Sequence, residues 1–450
     1  MKGRYIGENV RLIISVIHVD FLETNKKPGL LFFADFQKAF DSLSHTFIID
    51  CLKSFNFGPD LIKWIEIFYN DIFSNIINNG FMSDQFQIQK GVRQGCPLSS
   101  SLFIICLQVL TNYIKLNKDI EGIKVGDEEI KQSLYADDAT FFNNGTEKSF
   151  ENLIQSIHLF SKCSGLFLNI KKSIILRVGT LKNSNIKYSS ENKFTWTSES
   201  ATALGITFYN NHRETIKYNT NKKINEFHMT LKQWSHRKLT LMGKVTVVKS
   251  YALPKLIYPL TVLENPSTQI IDNLQKEIFK FIWNNKPDKV KRSILFQGYE
   301  YGGLKLTNLN LFISAIKASW VKRYLDNENS GQWKIFLKNR LEKYGNSLIF
   351  DCEIDEKLIK RISLNNNFLN NILTSWIKIK DNLNKDNIIV AKLIIWNNKN
   401  VTENKSTIFY KDWFDRGIQF FEHIFDFRNS TFYNFETFSH LYDIPKNDLL

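Results

Sequence analysis

Cysteine is sparse in this chain: Cys51, Cys96, Cys106, Cys163 and Cys352 stand far apart, with no Cys-x-x-Cys pair and no histidines clustered around them. That spacing excludes a zinc knuckle or a disulfide framework and fits a reducing, intracellular compartment, nucleus or cytoplasm undetermined. No run of 18 apolar residues occurs, and Met1-Lys-Gly-Arg lacks the apolar core of a signal peptide, so neither a membrane span nor secretion is expected. Also missing are the regular Gly-rich turns of a dinucleotide fold. No repeat and no catalytic signature is visible in residues 301–450. What is present points elsewhere. The 450 residues allow two or three domains, and 43% apolar with 23% charged residues is ordinary for a globular protein. The 37 phenylalanines exceed what a core needs and leave rings free to stack on bases. A net charge of +14 and a pI near 9.3 favour a polyanionic partner.

The stretch Ser133–Asn143, SLYADDATFFN, reads as two short strands, Leu134–Ala136 and Ala139–Phe142, meeting at Asp137 and Asp138. Two carboxylates at a hairpin tip repel each other unless a cation neutralises them. Taken alone, they fit an acidic surface turn as well as half of a divalent-metal site. A metal site needs a third carboxylate.

Residues 1–27 carry Val10, Ile13, Ile14, Ile17 and Phe21 at helical spacing, ended by Pro28-Gly29. Leu30–Asp35 is a continuous apolar run closed by a carboxylate, as in a buried strand that delivers Asp35 to its end. Helices are expected from Ser44, over Leu61–Phe73, Leu102–Tyr113 and Phe150–Ser161, with Gly165 ending the last. Strands are expected over 86–92 and 203–208, and a strand or strand–turn over 166–176. Strand 30–35, helix 44–55, hairpin 133–142, helix 150–162 and strand 166–176 give a β-α-β-β-α-β order. This predicts the split βαβ arrangement, an α+β fold with one mainly antiparallel sheet and helices on one face. It sets the end of the first strand beside the hairpin, and Asp35 becomes the third carboxylate.

Past residue 210 the composition shifts. Residues 211–300 hold 16 Lys+Arg against 7 Asp+Glu, which favours a phosphate-backbone groove over a merely solvated face. Ile270, Leu274, Ile278 and Phe281/Ile282 form an apolar helical stripe. Trp320, Trp333, Trp376, Trp396 and Trp413 read as core rather than as a stacking platform. The expected domains are 1–210, 211–300 (basic and mainly helical) and 301–450.

FADFQKAFDS, GVRQGCPLSSSLF, YADD, SGLFLNIKKS and LGITF stand in the order and spacing of a reverse transcriptase palm. Over about residues 3–320 the chain resembles the reverse transcriptases of non-LTR (LINE-type) retrotransposons. The resemblance implies a palm with partial fingers, a mostly helical thumb and C-terminal region, and RNA-directed DNA polymerase activity. RNA template, DNA primer and dNTPs are the implied partners. Mg²⁺ is the implied cofactor, as two ions with Mn²⁺ as an alternative, and hard oxygen ligands suit it. Matched residue by residue, Asp35 and Asp137 would bind both metals, Asp138 would complete the cluster, and the Phe36 carbonyl would touch a metal. Phe40 matches the steric gate against a 2′-hydroxyl, its alternative role being an ordinary core aromatic. Arg93, Gln94 and Gly95 match the loop near the incoming nucleotide, where close backbone approach suits glycine. Lys172 matches a lysine near the pyrophosphate, and Leu204-Gly205 the turn that grips the primer.

Three departures from the family pattern stand out. Ser100 replaces a usual proline. Upstream fingers strands are not found before KGRYIGENVRLI, and neither an endonuclease nor a zinc knuckle is seen, so a retrotransposon fragment is expected. Two competing readings remain. An RNA-dependent RNA polymerase is disfavoured by Phe40. A truncated, inactive product that only binds nucleic acid is the non-enzymatic alternative.

Overall fold

The computed structural model describes residues 5–19, 27–188, 193–364, 366–383, 392–404 and 406–444. The chain divides into two compact units, residues 13–215 and residues 216–450 together with the first twelve. The division falls inside helix α1 (Ile6–Ile14), which continues as a wider turn through Val19. Of the helix expected over 1–27, residues 1–4 and 20–26, Phe21 among them, lie outside the described residues.

In residues 13–215, β1 (Pro28–Ala34) is buried along all but its first residue, which is why its sequence is an unbroken apolar run. Helix α2 (His45–Ser54) starts where the Ser44 hydroxyl accepts the Phe47 amide. Next come α3 (Pro59–Tyr69) and four two-residue strands, β2 (Phe73–Ser74), β3 (Ile77–Asn78), β4 (Phe81–Met82) and β5 (Phe86–Gln87). The expected strand over 86–92 is thus cut to its first two residues. Helix α4 (Pro97–Leu116) opens with proline at its first turn, where no amide is missed. The hairpin strands β6 (Gln132–Tyr135) and β7 (Asp138–Asn143), α5 (Glu147–Ser164), β8 (Ile174–Gly179) and β9 (Thr195–Thr197) follow. Gly165 ends α5 at φ 79.

The main sheet has the order β9-β8-β1-β7-β6, antiparallel except for β8 with β9. This is the anticipated split βαβ order with one strand added. Even-numbered residues of β1, Leu30, Phe32 and Ala34, join Phe36, Phe141 and the apolar faces of α2, α4 and α5 in one core. The opposite face is also covered: Phe33 stacks on Phe208 at 6.0 Å. Phe208 belongs to a hairpin of β10 (Ser200–Ala203) and β11 (Ile206–Tyr209), where a single strand over 203–208 was expected. Over 166–176 the strand–turn alternative holds: Asn169–Lys172 form a turn, and the strand runs from Ile174.

Helix α4 is long and apolar enough to cross a bilayer by length and composition. Its Leu102, Phe103, Cys106, Leu107 and Leu110 are instead part of the core. Two cysteines far apart in sequence meet there: Cys106 hydrogen-bonds Cys51, which with burial pushes its thiol up.

The other unit is helical, with α6 (His212–Ser235), α7 (Leu253–Val262), α8 (Thr268–Ile282), α9 (Leu309–Leu325) and α10 (Asn367–Leu383). One of its cores runs from Phe227 to Ile313 and so crosses residue 300, and another joins Ile395, Trp396, Ile418, Phe438 and Ile444. In α8 Leu274, Ile278, Phe281 and Ile282 are buried as expected, while Ile271 takes the place of Ile270, which is exposed. Trp320, Trp333 and Trp396 are buried as expected of core residues; Trp376 and Trp413 are half-buried.

At the end of α7 the carbonyls of Thr261, Val262 and Leu263 turn inward, and cations meet them. Buried Lys317 donates to Leu263 and, at 3.3 Å, to Thr261; Trp320 donates to Thr261 at 2.9 Å and Arg11 to Val262 at 3.4 Å. Arg11 and Lys317 also lie over the Phe368 ring at 3.8 and 4.6 Å. Burial, then Arg11, pushes the Lys317 ammonium well below its ordinary range.

Candidate active site

The sheet register assembles the site. Ala34 of β1 lies opposite Ala139 of β7, so one step further Asp35 falls opposite Asp138. Odd-numbered residues of β1 face away from the helices, and Asp35 follows Leu31 and Phe33 onto that face. The β10–β11 hairpin covers the same face through Phe208, and its two-residue turn is Leu204-Gly205, both at positive φ (53 and 72).

The Asp-Asp hairpin differs from expectation by one residue. Tyr135 pairs with Asp138, so the turn is Ala136-Asp137, and Asp138 is a strand residue rather than half of the tip. Ala136 takes φ 53, a left-handed conformation that alanine adopts at a cost of about 1 kcal/mol. Asp137 and Asp138 are exposed and Asp35 half-exposed. Burial of the carboxyl end, then the charges of Asp137 and Asp35, raise Asp138 above the usual aspartate range. Asp138 therefore lies within electrostatic reach of both other carboxylates. Among the described residues, no three of the Asp, Glu, His and Cys side chains form a ready-made metal cluster. The donor set fits a hard cation in chemistry, and the mutual repulsion is what a cation would relieve.

Segment 167–173 fixes the backbone around Asp35. The Asp35 amide donates to the Ser173 hydroxyl at 3.1 Å, and its carbonyl accepts from the Asn169 amide at 2.7 Å. Gln37 donates to the Phe167 carbonyl at 2.8 Å. With its neighbours' groups aimed at that segment, the Phe36 carbonyl points to the other side, where β7 lies. Lys172 is exposed, in the turn one residue before Ser173.

The loop with Arg93, Gln94 and Gly95 is stitched to the segment after β1. Val92 donates to the Phe40 carbonyl at 2.6 Å, Gly91 to Leu43 at 2.7 Å, and the Gln94 amide to the Asp41 carboxylate at 3.3 Å. The Phe40 ring is half-buried and stacked on Phe103 at 4.7 Å. At Gly95 φ is 84, and a Cβ there would meet no protein atom within 4 Å. A close approach within the chain itself is at Gly91, where φ is 94 and a Cβ would stand 2.8 Å from the Asp41 backbone. Sequence reasoning missed Gly91, Asp41, Asn169 and Ser173. A Gly just before Val-Arg-Gln-Gly was the one available signal.

Residues 5–208 match the family model described as reverse transcriptase (RNA-dependent DNA polymerase). An uncharacterized 149 kDa protein of transposon TX1 from Xenopus laevis is 24% identical over 74% of this chain and 25% of its own length. The Pol polyprotein of the retrotransposable element R2DM from Drosophila melanogaster is 32% identical over 31% of this chain and 13% of its own length. That of an R2 element from Popillia japonica is 25% identical over 50% of this chain and 37% of its own length. The matches thus span well under half of each of these relatives. A telomerase structure from Candida tropicalis, in complex with a fragment of telomeric RNA, is 14% identical, with a TM-score of 0.36 over 73% of this chain and 51% of that one. Residues 5–208 thus carry a reverse transcriptase domain, and the chain is similar to proteins of transposon TX1 and of the R2 retrotransposable elements.

Proposed function

We propose that this chain is an intracellular RNA-directed DNA polymerase that adds deoxynucleotides to a primer 3′-hydroxyl on an RNA template. The observation that carries the reading is the register that sets Asp35 across from Asp138, next to the Asp137 turn. Asp35 and Asp137 would hold two magnesium ions, with Asp138 and the Phe36 carbonyl completing the oxygen set. Bound there, magnesium would supply charge neutralisation on the phosphates and a more nucleophilic primer hydroxyl.

The remaining roles belong to the chain's own side chains. The Phe40 ring, braced on Phe103, is a flat wall that would exclude a 2′-hydroxyl. Arg93 and Gln94 extend from a loop fixed to that wall by backbone bonds and would position the nucleotide and template base. Lys172 would give a proton to the leaving pyrophosphate. The Leu204-Gly205 turn, on the carboxylates' face of the sheet, would hold the primer end. The basic residues of 211–300 would carry the nucleic-acid backbone.

A second reading is nucleic-acid binding without polymerisation, favoured by the lack of a ready-made metal cluster among the described residues. Magnesium-dependent extension of oligo(dT) on poly(rA), lost in Asp137→Asn while the hybrid still binds, supports the polymerase. Binding with no extension in the unsubstituted chain supports the second reading.

A further inference from the structure

Residues 59–87 carry an exposed apolar surface unlike anything the polymerase reading uses. Strands β2 to β5 form one hairpin, Phe73–Gln87, whose tip Asn79-Gly80 has positive φ at both residues (48 and 83), the geometry of a tight two-residue turn. The hairpin is hydrogen-bonded to no other sheet among the described residues. Isolated two-stranded hairpins are marginal in water, and native sheets normally shield their edges. Here Phe73, Ile76, Ile77, Phe81, Met82 and Phe86 are 45–78% exposed. Paired Ile77 and Met82 occupy one face, Ile76 and Phe81 the other, so both faces are apolar. Helix α3, immediately before it, exposes Trp64 and Phe68, ring against ring at 6.1 Å.

The charges around these side chains select the occupant. Asp60, Glu66, Asp71 and Asp84 are exposed and, among the described residues, unpaired by any cation; Lys63 is the one basic residue in 59–87. A phosphate backbone would be repelled by this face, and so would the same face of a second copy. We propose that the hairpin is a docking edge for another polypeptide: an extended apolar segment with basic flanks, added as a third strand. Main-chain bonds along the free edge would supply affinity, alternate side chains would cover the apolar faces, and the acidic rim would choose the flanks.

The test is selection of a library of random peptides, about 12 residues or two strand lengths, on the full chain. The comparison protein, kept out of the selection, is the triple variant Ile77→Asp, Phe81→Asp, Met82→Asp, whose positions are at least 67% exposed and leave folding intact. Selected peptides should alternate apolar residues between Lys or Arg, and bind at least about tenfold more weakly to the triple variant by fluorescence anisotropy. In the charge-reversed variant Asp60→Lys, Glu66→Lys, Asp84→Lys, the preference for basic flanks should be lost. Peptides with acidic flanks, or peptides indifferent to the triple variant, would overturn the proposal. So would a concentration-dependent dimer abolished by the triple variant in sedimentation, or single-stranded RNA binding abolished by it.

Discussion

The two units differ most in charge. Residues 13–215 hold 20 Lys+Arg against 21 Asp+Glu, whereas the rest of the chain holds 39 against 24. The unit with the carboxylates has no surplus positive charge with which to hold a polyanion; the helical unit has all of it. Burial of charge differs in the same sense. The helical unit spends Lys317 and Arg11 on the carbonyls that end α7, while the sheet unit leaves Asp137 exposed in a turn and Asp138 exposed beside it. One unit sets its buried cations against backbone carbonyls. The other keeps like charges together, which costs stability and is tolerated where a ligand is to be bound.

The contrast can be broken most severely at the sheet. Asp35→Asn should lower primer extension by about a thousandfold or more, with hybrid binding unchanged, because the neutral amide retains shape and loses charge. Equal loss of binding would mean that the two tasks are not divided between the units. Lys317→Met should destabilise the helical unit by about 2–3 kcal/mol, since the Leu263 carbonyl loses its buried donor. Hydrogen exchange should then quicken in 216–444 before 13–215. Gly91→Ala should do the reverse, costing about 2 kcal/mol in the sheet unit through its φ and the contact with Asp41, as read by urea unfolding.

Smaller effects sharpen the contrast. Because the folded pKa of Asp138 is raised, its ionised form weakens the fold, and stability is lost as pH rises through that pKa. Asp138→Asn should therefore melt higher than the unsubstituted chain at pH 7, and the difference should close below about pH 4. Magnesium should raise the melting temperature of the unsubstituted chain more than that of the variant. Smallest of all, the exposed pair Lys249→Ala, Lys255→Ala should reduce the salt slope of RNA binding by about two while leaving extension at saturating hybrid intact.

Where one segment settles its own structure, the fold could be read directly. The Leu30–Ala34 run had to be a strand buried on both faces, and the β-α-β-β-α-β order then set Asp35 beside the hairpin. Features decided by contacts between distant segments could not be read. Nothing near Asp137 indicates whether the turn takes Ala136-Asp137 or Asp137-Asp138; the pairing of β7 with β1 decides that. Gly91 is required by the backbone of Asp41, some fifty residues away. Ile271 replaces Ile270 in the core although Leu274, Ile278, Phe281 and Ile282 keep their expected places, and periodicity alone does not choose between the two isoleucines.

The hydrogen bonds that hold Asp35 have a mechanical consequence. Its amide is tied to Ser173 and its carbonyl to Asn169, the two ends of the turn that carries Lys171 and Lys172. Any anion that pulls on those lysines pulls, through four residues of chain, on the strand end that bears the carboxylate. The acid and the bases ride on a single lever, and neither can be displaced without the other.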